Sequence, residues 1–197
     1  DINRKNNYGY NVLHHAAENK NDNKYLIELL LTHGADTDSQ KKDGETCLMT
    51  AARNNNIEIV RCLLQNGADI NKKDSDGANV LHYAAKNKND NKFIIELLLK
   101  CGAGIDSQNK DGVTCLMTAA INNNIKSVRC LLQNGADINK QNRFGETTIQ
   151  IARCNERDNK EIVELLQDYE RQKSKTLFKE RYSNQCLEKS DKIVNKK

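Results

Sequence analysis

Proline is absent from all 197 residues, so no helix here begins on the preset φ of a first-turn proline. No apolar run approaches the roughly 20 residues that a membrane-spanning helix needs, and 29% of the chain is charged. The opening DINRKNNYGY lacks the basic start and apolar block of a secretory signal. The glycines fall at repeat spacing, about one to a turn, and do not gather into a phosphate-cradling loop. No C-x-x-C pair is present to start a zinc site, and no nucleophile stands in a pattern with a base. No enzymatic activity, cofactor, metal or small-molecule substrate is expected, and no membrane span.

What is present begins with seven cysteines, Cys47, Cys62, Cys101, Cys115, Cys130, Cys154 and Cys186. An odd number without paired spacing reads as free thiols in a reducing compartment, which places the protein inside the cell, in cytoplasm or nucleus. The net charge of +4 is unevenly spread. Residues 169–197 carry a surplus of +5 and the first 168 residues stand at −1, so the basicity belongs to the tail and the rest is not expected to bind nucleic acid.

Self-similarity organises the chain. Gly9, Gly44, Gly77, Gly112 and Gly145 each open a similar phrase, at spacings of 35, 33, 35 and 33 residues. Gly9 to Asp76 also aligns with Gly77 to Phe144 at an offset of 68, with about fifty identical pairs. One pair of repeats has been duplicated whole, and TCLMTAA, at Thr46 to Ala52 and Thr114 to Ala120, is part of that copy.

Each unit reads as turn, short helix, tight connection, longer helix and loop. Thr46 is placed to cap the helix that follows it. Leu48, Ala51 and Ala52 share one face of that helix, the paired alanines permitting close approach. In the second helix Ile57, Val60, Leu63 and Leu64 form an apolar stripe, and Gly67 ends it in the left-handed conformation. Asn55 and Asn123 fall in the tight connection, where asparagine tolerates positive φ. A unit of about 33 residues cannot bury its apolar face alone, so neighbours must stack. The longer units carry inserts from Glu18 to Tyr25 and from Lys86 to Phe93, read as solvated loops or a contact ridge.

These phrases resemble the ankyrin repeat, whose G-x-T-P-L-H-x-A-A half appears here as GYNVLHHAA, GETCLMTAA, GANVLHYAA, GVTCLMTAA and GETTIQIAR. The V-x-x-L-L-x-x-G-A-D-x-N half appears twice as VRCLLQNGADIN. The resemblance implies an all-α solenoid of stacked helix-turn-helix units over residues 1–168, with repeats near 6–40, 41–73, 74–108, 109–141 and 142–168. Residues 1–5 read as the tail of a preceding repeat, because Asp1-Ile2-Asn3 recurs as Asp69-Ile70-Asn71; a piece of a longer protein is expected. Residues 169–197 form a basic tail, helical or disordered, with Phe178, Tyr182 and Cys186 at intervals of four.

Departures from the family pattern are specific. Val12, Cys47, Val80, Cys115 and Thr148 take the proline place, and the family histidine survives only as His14 and His82, with Met49, Met117 and Gln150 elsewhere. Both histidines are read as structural, and adjacent His15 points to a different helix face. Arg153 in a small-residue place suggests a polar C-terminal cap. Cys101 and Cys154 are candidate exposed thiols.

The resemblance implies binding of another protein through a concave surface made of turns and first helices, as a non-catalytic module or scaffold. Positions that differ between repeats supply its candidate contacts. At the turns these are Tyr8, Tyr10, Lys42, Glu45, Asp76, Val113, Arg143 and Phe144. On the first helices they are Glu18, Arg53, Lys86 and Ile121, with Tyr83 either an exposed anchor or half-buried between repeats. Asn71 and Asn139, in LLQNGADIN contexts, resemble sites of ankyrin asparaginyl hydroxylation. Alternative functions are an adaptor segment of a larger protein such as a ubiquitin-ligase component, and contact of the basic tail with nucleic acid or acidic partners.

Overall fold

The computed structural model describes residues 1–18, 23–87, 91–154 and 159–175. The described chain forms α1 (Val12–Glu18), α2 (Lys24–Thr32), α3 (Cys47–Arg53), α4 (Ile57–Gln65), α5 (Val80–Lys86), α6 (Lys92–Lys100), α7 (Cys115–Ile121), α8 (Ile125–Gln133) and α9 (Thr148–Cys154). A further helix, α10, covers residues 160–175. The helices make five successive pairs. Among the described residues there are no named strands, and only isolated antiparallel bridges such as Gln40 with Thr46 and Gln108 with Thr114.

Local chemistry sets the helix ends. The Thr46 hydroxyl accepts from the Met49 N–H at 3.3 Å, and Thr114 does the same for Met117 at 3.2 Å, each satisfying a first-turn donor that has no helical partner. Asn11 and Asn79 cap α1 and α5 in the same way. At the far end of α4, Gly67 takes a φ of 84°, and the Ala68 N–H turns back to the Leu63 carbonyl at 3.0 Å. Asn55 and Asn123 close their hairpins at φ values of 59° and 53°, so these connections need no glycine. The inserts Glu18 to Tyr25 and Lys86 to Phe93 lie partly outside the described residues.

Packing follows from the alanine pairs. Ala51, Ala52, Ala84, Ala85, Ala119 and Ala120 have no exposed surface, which lets α1, α3, α5, α7 and α9 line up side by side. The second helices form a parallel row, α2 against α4, α4 against α6 and α6 against α8. Between the rows runs one apolar core, with Leu13, Leu48, Leu81 and Leu116 from successive first helices and Ile27, Leu63, Leu98 and Leu131 from successive second helices. The hydrophobic effect thus acts between units, and a unit alone would leave its apolar face exposed.

Polar ties also cross the unit boundaries. The Gln40 amide donates to the Gly44 and Lys73 carbonyls, and Gln108 to those of Gly112 and Gln141. The Asn87 amide donates to the Arg53 carbonyl, and the Asn124 amide to that of Asn87. At the last unit Gln150 and Arg153 are exposed while Thr148 and Ala152 are buried, the polar outer side expected of a cap. Helix α10 passes without a break through position 168, with Tyr169 packed against the core. Residues 176–197, with Phe178, Tyr182 and Cys186, lie outside the described residues.

Candidate protein-binding face

The turns between units are joined into a row by their backbones. The Lys42 N–H donates to the Tyr8 carbonyl at 3.1 Å, Ser75 to Asp43 at 2.8 Å, Lys110 to Asp76 at 2.9 Å and Arg143 to Asp111 at 2.8 Å. Each tip is wound by an aspartate or asparagine accepting nearby N–H groups. Asn109 takes those of Asp111 and Val113, and Asn142 those of Phe144 and Glu146, the turn chemistry expected of such residues. The row is therefore preorganised, and its exposed side chains stand on a rigid support.

In the second unit a lysine, Lys41, occupies the place that Asn109 fills in the fourth, and it opens a buried ionic network. Lys41 Nζ lies 2.8 Å from Glu45 Oε2, with both side chains nearly inaccessible. Arg53 grips the same carboxylate with both terminal nitrogens, at 3.0 and 2.9 Å. The Thr50 hydroxyl donates to Glu45 Oε1 at 2.6 Å. Lys41 also lies over the Tyr10 ring, 4.6 Å from its centroid. Burial works against the charge of Lys41, but the hydrogen bond and attraction of Glu45 outweigh it and hold its pKa above the ordinary lysine value.

Glu45 was expected among the exposed contact residues, and the structure corrects this. It is only 3% exposed, because its carboxylate is the anion that makes two neighbouring cations tolerable inside the fold. Tyr83 resolves to the buried alternative at 5% exposure. Its phenol donates to Asp74 Oδ2 at 2.7 Å, and burial followed by the Asp74 bond raises its pKa. The Lys86 ammonium and the Arg53 guanidinium lie 4.7 and 5.7 Å from its ring centroid. Tyr10 is half-buried, stacked on His15 with centroids 5.2 Å apart.

The remaining candidates are accessible. Tyr8 and Phe144 are about 70% exposed and Ile121 about 40%. Lys42, Asp76, Lys86 and Arg143 are exposed, and Glu18, Arg53 and Val113 are half-buried. Arg143 pairs with Asp111 at 2.7 Å and covers the Phe144 ring at 4.7 Å. Tyr8, Tyr10, His15, Glu18, Lys42 and Asp43 line an open cavity of about 530 Å³ at the first two units. Asn71 and Asn139 are exposed in the loops that follow α4 and α8.

Sequence reasoning missed Lys41 as the centre of a network. The signal was its concerted change, since Lys41, Glu45 and Arg53 become Asn109, Val113 and Ile121 at the 68-residue offset. Tyr25 and Phe93, read as the last residues of the two inserts, stand exposed on the second helices α2 and α6, outside the apolar stripe.

The other polar groups are occupied in holding the fold. His82 Nε2 lies 2.9 Å from the Val113 carbonyl, and Nδ1 lies within hydrogen-bond reach of the Asn79 N–H and, at 2.6 Å, of Asn79 Oδ1. His14 is buried beside Asn11 in the equivalent place, and exposed His15 lies on another face. Burial lowers the pKa of both His14 and His82. Cys47, Cys62, Cys115 and Cys130 are buried free thiols, and Cys101 and Cys154 are exposed ones. Among the described residues no group of three or more His, Cys, Asp or Glu converges to hold a metal ion, and no helix is long and apolar enough to cross a membrane.

Comparison with known proteins agrees with this geometry. The family model described as ankyrin repeats (3 copies) matches residues 13–105 and again 81–176. No curated protein matches the chain. Two overlapping matches that together cover most of the sequence, on a stack of helix pairs joined by hydrogen-bonded turns, show that this chain belongs to the ankyrin repeat family.

Proposed function

We propose that the chain is a non-catalytic protein-binding module whose contact surface is the row of turn tips together with the adjoining side of the first helices. The family typically binds other proteins. The observation that carries the specific placement is the contrast between support and surface. Turn backbones are bonded unit to unit, and the side chains they present vary along the row, with aromatic Tyr8 and Phe144 before the first and last turn glycines and Asp43, Asp76 and Asp111 before the three between. A rigid, varied surface suits recognition because little freedom is lost on binding.

The most accessible aromatic and apolar groups of this surface, Tyr8, Ile121 and Phe144, are its anchors, since such residues dominate interface energetics. Crosslinked pull-down from host lysate with Tyr8→Ala, Ile121→Asp and Phe144→Ala tests the assignment. Recovery of at least one partner should fall about tenfold, the loss of a modest anchor, with helical circular dichroism unchanged. Identical partner sets from all three variants and the parent would place the contact surface elsewhere.

A further inference from the structure

The chain carries an internal comparison. Residues 68 apart are copies, and most scaffold positions have stayed the same. Along the face, chemistry has changed as a block. Arg53 at the end of α3 becomes Ile121 at the end of α7, and Glu18 at the end of α1 becomes Lys86 at the end of α5, so that the first helices end in turn on Glu18, Arg53, Lys86, Ile121 and Cys154. Two adjacent cationic places, Arg53 and Lys86, are followed by two that are not cationic, Ile121 and Cys154.

Charge in the first block is layered. The Glu45 carboxylate is buried behind Lys41 and Arg53. The Asp74 carboxylate accepts the N–H groups of Asp76 and Ala78 and the Tyr83 phenol. Outward of these anions stand the cations, with the Arg53 side chain 37% exposed and Lys86 exposed. A protein approaching the first-helix row there meets positive charge in front and negative charge behind. At the turn tips exposed Asp43 and Asp76 stand among exposed Lys42 and Lys110, so the rim carries both signs, whereas Arg53 and Lys86 put two cations side by side on the helix row. One unit further on, exposed Ile121 and Phe144 offer apolar surface with half-buried Val113.

Resting on the reading of this face as protein-binding, we infer that its partner presents an acidic segment with an apolar anchor. A carboxylate meets Arg53 and Lys86, and an aliphatic or aromatic side chain meets Ile121 and Phe144. Stacked helices lie about 8 to 10 Å apart and an extended chain advances about 3.3 Å per residue. The acidic and apolar residues therefore stand about three positions apart in an extended segment.

Selection of displayed random peptides on the full chain tests this, followed by fluorescence anisotropy of the enriched peptides. Enriched sequences should pair Asp or Glu with Leu, Ile or Phe at that separation. Lys86→Glu and Ile121→Asp should each weaken binding about tenfold or more. Replacing the peptide's acid by lysine should restore binding to Lys86→Glu, and added salt should weaken the parent complex. Peptides sensitive to Phe144→Ala but indifferent to Lys86→Glu would overturn the acidic partner and leave the protein-binding reading standing. Peptides indifferent to Tyr8→Ala, Phe144→Ala and Lys86→Glu alike, or no enrichment, would overturn both.

Discussion

A Cβ placed on Gly44 would lie 2.6 Å from the Ser75 nitrogen and 2.8 Å from the Asp74 carbonyl carbon, while one on Gly145 would meet nothing within 4 Å. Both glycines have positive φ, 80° and 77°. Gly145→Ala should therefore cost only the left-handed backbone penalty, about 1 kcal/mol. Gly44→Ala should cost about 3 kcal/mol or more, because the next turn must retreat and strain its bond from Ser75 N–H to Asp43. Paired urea titrations check this, and equal losses would show that the contact between turns contributes nothing. His14 and His82 give a second residue-scale test. Their folded pKa values lie below the unfolded value near 6.5, so the fold favours neutral rings. Their contribution is complete above pH 6.5 and is lost as pH falls from there through the folded pKa values, by at most about 1.4 kcal/mol per pH unit for each ring. Between pH 7.5 and pH 5.5 the parent's unfolding midpoint should drop more than that of His14→Met with His82→Met, which borrows the chain's own alternative from Met49 and Met117.

At the scale of the element, the loop and helix of the second unit depend on a buried anion that the fourth unit does without. Glu45→Val alone strands Lys41 and Arg53 and should cost about 3 kcal/mol, toward the low end for a broken buried pair because Arg53 is part-exposed. The triple change Lys41→Asn, Glu45→Val and Arg53→Ile installs the fourth unit's residues and should restore most of the loss, since no buried charge is left without a partner. Thermal unfolding of the single and triple variants decides it. A triple variant as unstable as the single one would mean that the network contributes net stability of its own.

Across the whole molecule, stacking makes accessibility cooperative, because each unit's interior is covered by its neighbours. Burial pushes the thiols of Cys47 and Cys115 up to about 12, and Cys62 and Cys130 are also enclosed. Site-resolved alkylation at neutral pH should label Cys101 and Cys154 rapidly, with the four buried cysteines reacting only on the timescale of opening. Fast labelling of Cys47 or Cys115 in native buffer would show that the stack breathes at its centre.

By itself the sequence determined the repeating architecture. The glycine period, the paired alanines, the Thr46 cap and the left-handed Asn55 are local signals, and a repeat multiplies each of them. Tyr8, Lys42 and Phe144, read from their place in the turn as exposed, are exposed. Tertiary structure alone decided the fates of Glu45 and Tyr83. Variation between repeats made both look like contacts, yet Glu45 differs from Val113 because its surroundings differ, with Lys41 and Arg53 enclosing it. Likewise Tyr83 is covered because Asp74, Arg53 and Lys86 converge on it from two adjacent units. Whether a polar side chain lies on the surface or within a network depends on partners 3 to 30 residues away. Such partnerships are set by the stacking of units and have no period of their own in the sequence.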